Sequence, residues 1–443
     1  MWDERNASPP VDRGNAVGLI IFVQGVGILL PWNFFITATQ YFNDRLSENY
    51  SSNSTSFHVH KYNYDSWMCL LSELPLLLFS LLNSCLYQHV RERYRVAFSL
   101  VAFIFLFGLT AALVEVEMDQ DAFFIVTMAT IWFINMFGAV LQGSLFGLVG
   151  LFPYRYSTFF MSGQGLGGIF ANVAMLLSIL SNSDSRSAAL GYFITPCVFT
   201  LVTLLCYLLL PHLNFARFYM NQSSVYEPET SNKLLKDSEI KVVSQVPNHL
   251  RAKELLQSNG VMKEEVRLTA FEVFKKIWPM ALYVTCIFAV TLSVFPAVTV
   301  RVQTVYVENQ TWAKVFTCVC CFIVFNVMDM VGRSIPYLVQ WPGENSRFFP
   351  VLVVARVVFV PLLMMCNIKN SKLSVLFSHD AAFSLLMALF SFTNGYLATL
   401  CTGYAPKLVH NKDAKTAGSL MGFFIFLGLA IGAAFSFLLC TVV

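Results

Sequence analysis

Charge is what this chain has least of. Only 12% of its 443 residues are Asp, Glu, Lys or Arg, whereas 56% are hydrophobic and 15% aromatic. A soluble globular chain carries about 25% charged residues, so that class is excluded. A net charge of +3 supplies no basic field with which to hold nucleic acid. Cysteines in polar loops are lacking too. All eleven (Cys69, Cys85, Cys197, Cys206, Cys286, Cys318, Cys320, Cys321, Cys366, Cys401 and Cys440) fall in apolar runs, which excludes a disulfide framework or a zinc site. They read as small core residues, and no metal or cofactor is expected. Residues 1–14 show no cleavable signal pattern, so the apolar span that follows is expected to remain as an anchor.

What the chain has in abundance is long apolar runs. A bilayer core of about 30 Å takes about 20 helical residues, and by that ruler eleven spans are expected. Six lie near 16–39, 67–89, 96–114, 122–150, 157–180 and 188–210; five lie near 278–300, 315–339, 348–366, 381–401 and 417–442. The segment between them is rich in Ser, Asn, Glu and Lys and cannot bury enough apolar area to fold alone, so it reads as a linker with room for some helix. The expected fold class is an all-α polytopic membrane protein, with eleven transmembrane helices in a 6+5 arrangement. Its parts are an N-terminal six-helix half (1–210), a cytoplasmic linker (211–276) and a C-terminal five-helix half (277–443).

Eleven crossings put the termini on opposite sides of the membrane. Twenty Lys and Arg then share the side of the N-terminus and linker, against seven on the other (Arg45, Lys61, Arg186, Arg301, Lys314, Lys369 and Lys372). The positive-inside rule makes the first side cytoplasmic and leaves the C-terminus extracellular. Two glycosylation sequons agree: Asn49-Tyr50-Ser51 and Asn53-Ser54-Thr55 fall in the first outer loop and mark Asn49 and Asn53 as acceptors. Asn309-Gln310-Thr311 is also on the outer side but close to the membrane.

Against this apolar background a few polar residues stand out. Asp329 and Arg333 lie four apart inside the 315–339 run, with Asn326 a turn earlier on the same helical face. Each such charge at bilayer depth costs about 2.5 to 3.5 kcal/mol even on the lenient insertion scale, which makes the stripe a functional-site candidate. The plain alternative is a pair that only glues helices, or an Arg333 that snorkels to an interface. Gln142, between Leu141 and Gly143, must find hydrogen-bond partners. It is suited to reading a heterocycle edge, and equally to an interhelical bond. Trp32, after Pro31, is either an interfacial belt residue or a stacking platform for a ring. Glu73, before Leu74-Pro75, reads as a carboxylate near the outer mouth. Arg356 lacks a local partner and is expected to snorkel or to pair with an acid from another helix.

Ser162-Gly163-Gln164-Gly165-Leu166-Gly167-Gly168 has the GxGxxG spacing of a dinucleotide site but follows no strand and sits in an apolar span. Gly163 and Gly167, like Gly143/Gly147 and Gly428/Gly432, instead have the small-xxx-small spacing of closely packed membrane helices.

Taken together, Leu29-Leu30-Pro31-Trp32-Asn33-Phe34-Phe35, Leu141-Gln142-Gly143-Ser144-Leu145-Phe146-Gly147, Met161 to Gly165, Phe295-Pro296-Ala297-Val298-Thr299, Asn326 to Arg333 and Asn394-Gly395-Tyr396-Leu397 resemble the equilibrative nucleoside transporter family over nearly the whole chain. Gly191 to Cys197 and Pro211-His212-Leu213 lean toward type two of its vertebrate plasma-membrane branch. The resemblance implies a major-facilitator-like fold that carries nucleosides such as adenosine and uridine, and nucleobases, down their gradients by alternating access. It assigns base reading to Gln142 and ribose contact to Asp329 and Arg333. It assigns pocket-lining roles to Leu29, Trp32, Leu76, Phe295, Asn326 and Leu429. Glu73 departs from the family pattern, where a neutral side chain is usual, and keeps a proton-coupled mode open beside it. An intramembrane enzyme is the rival class, and would need Asp329 and Glu73 to converge.

Overall fold

The computed structural model describes residues 10–47, 64–85, 91–181, 185–224, 268–368 and 371–443. Asn49 and Asn53 lie outside them, as does most of the expected linker. The helices before the polar break are α1 (Ala16–Thr37), α2 (Thr39–Ser47), α3 (Tyr64–Cys85), α4 (Glu92–Glu115), α5 (Gln120–Val149), α6 (Tyr154–Ser181), α7 (Ser185–Leu209) and α8 (Asn214–Ser224). After it come α9 (Ala270–Val294), α10 (Gln310–Phe316), α11 (Val324–Ser334), α12 (Phe348–Ala355), α13 (Phe359–Met364), α14 (Asp380–Tyr404) and α15 (Ala414–Val442). Among the described residues, nine helices are long and apolar enough to cross a bilayer, and Leu70–Ser84 and Phe348–Met364 are shorter apolar helical stretches. An all-helical build is what hydrocarbon demands of an open chain, because the helix bonds every backbone group within its own segment.

One expected boundary moves. α9 begins at Ala270, inside the stretch assigned to the linker, because Thr269 and Glu272 form a capping box. The Glu272 backbone N–H donates to Thr269 Oγ1 at 3.3 Å and the Thr269 backbone N–H donates to Glu272 Oε2 at 2.8 Å. An apolar ruler does not see a helix start whose first two turns carry Glu272, Lys275 and Lys276. α8 folds within the expected linker, which the sequence left room to be helical in part.

The expected 315–339 span is also not one continuous α-helix. α10 is capped by the Asn309 side chain, which accepts from the Trp312 N–H at 3.1 Å. Residues Thr317–Ile323 then wind as a π-helix before α11 resumes regular geometry. The 348–366 span is broken as well, by a 3₁₀ turn at Arg356–Val358.

Close helix contacts fall where the glycine spacing placed them. α1 and α6 interlock through two glycines: a Cβ on Gly25 would strike the Phe160 carbonyl, and one on Gly163 would strike the Phe22 carbonyl. Gly167 faces the Leu30 backbone in the same seam. Gly428 and Gly432 lay α15 against Thr285 and Ala289 of α9, and Gly143 brings α5 to Asn83 and Ser419. Gly332 and Gly395 do the same for α11 and α14, meeting the carbonyls of Phe392 and Asp329. The GxGxxG stretch is thus helix-packing surface within α6.

A methyl group separates the two kinds of glycine. Gly163→Ala should cost about 1–3 kcal/mol through backbone displacement, whereas Gly108→Ala, which meets nothing within 4 Å, should be neutral or gain up to about 1 kcal/mol from helix propensity. Thermal unfolding of the two purified variants checks this, and equal midpoints would refute the interlock.

Candidate functional site

On α11 the expected stripe forms. Arg333 Nε donates to Asp329 Oδ2 at 2.6 Å, one turn apart, and the two residues are only 6% and 3% exposed. Neither snorkels. The remaining bonds come from other helices: Asn394 of α14 donates its Nδ2 to Asp329 Oδ1 at 2.7 Å, and Arg333 Nη1 donates to Gln164 Oε1 of α6 at 2.9 Å. The Met161 sulfur lies 3.9 Å from the same Nη1. Both carboxylate oxygens therefore have a donor, which is what a buried pair needs before its mutual attraction can offset the loss of water.

Asn326, a turn before Asp329, donates its Nδ2 to the Phe322 carbonyl at 3.0 Å, and its side chain sits where a Cβ on Gly168 would be. The bare face of α6 makes room for it. Gln142 of α5 is 6% exposed, and among the described residues its amide makes no hydrogen bond. Of the two roles open to it in the sequence, the interhelical bond is not formed among the described residues. Trp32 is half-buried, its ring stacked on Phe35 with centroids 6.0 Å apart and planes 7° off parallel. Phe295 stacks on Phe325 at 3.8 Å. Leu29, Leu76 and Leu429 are partly buried on α1, α3 and α15. Asp329, Arg333 and Asn326 share one face of α11. Gln142, Trp32, Leu29, Leu76, Phe295 and Leu429 make no hydrogen bond to that pair.

Glu73 does not join Asp329. Among the described residues its Oε2 is buried without a hydrogen-bond partner, and no ion pair links it to α11. The two acids needed for an aspartyl-type enzyme are thus not brought into contact. Arg356 corrects the sequence expectation in another way. It neither snorkels nor meets an acid: the guanidinium is 1% exposed, and its Nη1 donates to the Phe390 carbonyl at 3.0 Å and to Thr393 Oγ1 at 2.5 Å. Gln164 and Asn394, which complete the pair, were not singled out in the sequence. Their only signal is an amide beside a glycine inside an apolar span.

Contacts between helices before and after the polar break run along α6, reaching Cys318 and the Asn172 carbonyl at 3.7 Å toward its far end, and a further group lies near the end where α6 and α15 begin. Ser162 and Ser334 hydroxyls lie 2.9 Å apart, Lys415 and Glu92 approach to 3.4 Å, and Asn83 donates to Ser419 at 3.4 Å. Tyr154 and Tyr404 rings sit 5.5 Å apart, with Lys407 Nζ 4.3 Å from the Tyr154 centroid. A cavity of about 220 Å³ lies in this seam, lined by Pro153, Tyr154, Tyr219, Pro406, Lys407 and Asn411.

The arrangement of helices has a solved counterpart of the same fold. The solved proton:xylose symporter XylE superposes with a TM-score of 0.60 at 11% identity, covering 97% of this chain and 90% of its own. A nucleoside transporter family model matches residues 128–441. The chain is 46% identical to equilibrative nucleoside transporter 2 of Rattus norvegicus over 449 residues, 98% of each chain. To the human type 1 transporter it is 44% identical over 456 residues, 98% of this chain and 99% of the relative. The chain belongs to the nucleoside transporter family. The lean toward type two is matched by the small difference between those identities.

Closure of the seam is testable. With Ser162→Cys and Ser334→Cys together, oxidation should cross-link α6 to α11 and cut uptake more than about tenfold, since substrate release needs interconversion of whole-bundle states. Reductant should restore it. Full uptake by a quantitatively cross-linked protein would show that this end stays shut throughout.

Proposed function

We propose that this protein moves nucleosides across the plasma membrane down their concentration gradients by alternating access, with adenosine and uridine as typical cargo and nucleobases as further substrates. The observation that carries the reading is the Asp329–Arg333 pair, buried in a membrane-spanning bundle and held by Gln164 and Asn394 from two other helices. Structural glue alone does not require such a cluster, because apolar residues of the same volume pack as well or better. A nucleoside offers ribose hydroxyls, a base edge with amide-like groups and a π face. The pair can answer the first, the unbonded Gln142 amide the second, and Trp32 the third. Leu29, Leu76, Asn326, Phe295 and Leu429 supply walls, and Glu73 lies at the mouth. The 46% identity to a protein named an equilibrative transporter supports facilitation rather than coupling or turnover.

In this reading the two shorter apolar stretches also cross, giving eleven spans as six before residue 211 and five after 276, joined by a cytoplasmic linker. The N-terminus is cytoplasmic, the C-terminus extracellular, and Asn49 and Asn53 carry sugar. The shut seam then faces the cytoplasm.

Asp329→Asn and Arg333→Lys should each lower uridine uptake more than about tenfold at unchanged surface level, the first because Arg333 is left buried without its counter-charge, at about 3–5 kcal/mol. Lys keeps the charge and loses the planar fork, so it isolates geometry. Normal uptake in both variants would remove the site assignment. Proteoliposomes with an imposed pH gradient test the mode: internal uridine should rise only to the external concentration. Accumulation that collapses with the gradient would establish proton coupling instead.

A further inference from the structure

Arg356 has no ion-pair partner among the described residues, yet it is one of the largest fully buried side chains. A guanidinium in that position is costly unless its donors are used and a negative charge stands near. Its bonds lead to one. Nη2 donates to Thr291 Oγ1 of α9 at 2.7 Å, and Thr291 Oγ1 lies 2.8 Å from Asn394 Oδ1, whose amide donates onward to Asp329. Thr291 has a single proton and two acceptors in reach, Asn394 Oδ1 and its own helix's Ile287 carbonyl at 2.8 Å. The Asp329 carboxylate 2.7 Å from Asn394 accepts only from the NH₂ end of that amide, which turns Oδ1 toward Thr291 as an acceptor for the hydroxyl proton, while Arg356 donates into the hydroxyl oxygen. The amide is then fixed with its oxygen toward Thr291 and its NH₂ toward Asp329. Reversed, it would set an oxygen against a carboxylate. A pure donor at one end and a pure acceptor at the other give the chain one direction.

We propose that Arg356 is a positioning residue for the nucleoside site: acting through Thr291 and Asn394, it fixes the rotation of the Asp329 carboxylate, and so the direction in which that carboxylate can accept the ribose hydroxyls. The inference rests on the reading of Asp329 as a nucleoside contact. With Oδ1 held from α14 and Oδ2 from Arg333, the carboxylate plane has no freedom left, and its unused lone pairs keep one aim.

The test is uridine and 2′-deoxyuridine uptake by the full-length chain, with KM, Vmax and surface level measured together. Thr291→Val keeps the shape and breaks the chain. It should raise the uridine KM about tenfold, the scale of a lost hydrogen bond to a charged network. It should also narrow the preference for uridine over 2′-deoxyuridine, with Vmax per transporter within about twofold of the parent. Thr291→Ser restores the hydroxyl and should restore both. Arg356→Lys, which cannot reach the same acceptors as a planar fork, should follow Thr291→Val. If Arg356→Lys fails to reach the membrane, the Thr291 pair still decides the matter. An unchanged KM and sugar preference in Thr291→Val, or a fall in Vmax alone, overturns the proposal. Asp329→Asn run alongside separates the two failures: retained uptake there strikes the nucleoside-site reading, whereas lost uptake with a silent Thr291→Val strikes only the role of Arg356.

Discussion

The constraint on which this structure turns is that a carboxylate and a guanidinium placed at bilayer depth must be satisfied from within the protein. Asp329 and Arg333 satisfy each other at 2.6 Å, but each has capacity left over. That capacity draws in Gln164 from α6 and Asn394 from α14. A helix from before the polar break is thereby tied to two from after it, at a point where lipid offers no competing hydrogen bonds. Arg356 extends the same logic to α9, so five helical segments answer to a single polar cluster.

Such a cluster can form only if the helices approach closely, and glycine supplies the approach. Gly395 lets α14 lie on the backbone at Asp329, which brings its neighbour Asn394 within reach of the carboxylate. Gly168 clears the space that Asn326 occupies, and Gly163 seats α6 on α1. Packing and chemistry are therefore not separable here. The small residues that fix helix spacing also fix which polar groups can meet.

Much of this was legible in the sequence, for physical reasons that also mark the limit. Charges are so rare in the apolar runs that Asp329 and Arg333 declared themselves, and their four-residue spacing held because both lie in α11, beyond the π-helical stretch. The glycine spacing was readable because close approach has few other solutions. Gln164 and Asn394 lay in quoted stretches but were given no role, and Thr291 was not singled out, because neutral polar side chains are common in membrane helices and their partners lie far along the chain. Arg356 stood out, but an expectation limited to acids and interfaces could not anticipate a guanidinium met by a carbonyl and two hydroxyls. The π-helix left no trace, since the residues that wind it are as apolar as those of a regular helix. The start of α9 was hidden by the reverse effect, the lysines of its second turn resembling linker.

That π-helical stretch, Thr317–Ile323, holds one residue more than a regular helix would need for its length. Rewinding it to regular geometry would swivel everything beyond it by about 100° around the helix axis. Asp329 and Arg333 would then leave Gln164 and Asn394 together, as one body, without any break in the backbone ladder. The helix that bears the polar pair thus has, nearly two turns before Asp329, a place where such a rotation would need no tilting of its neighbours.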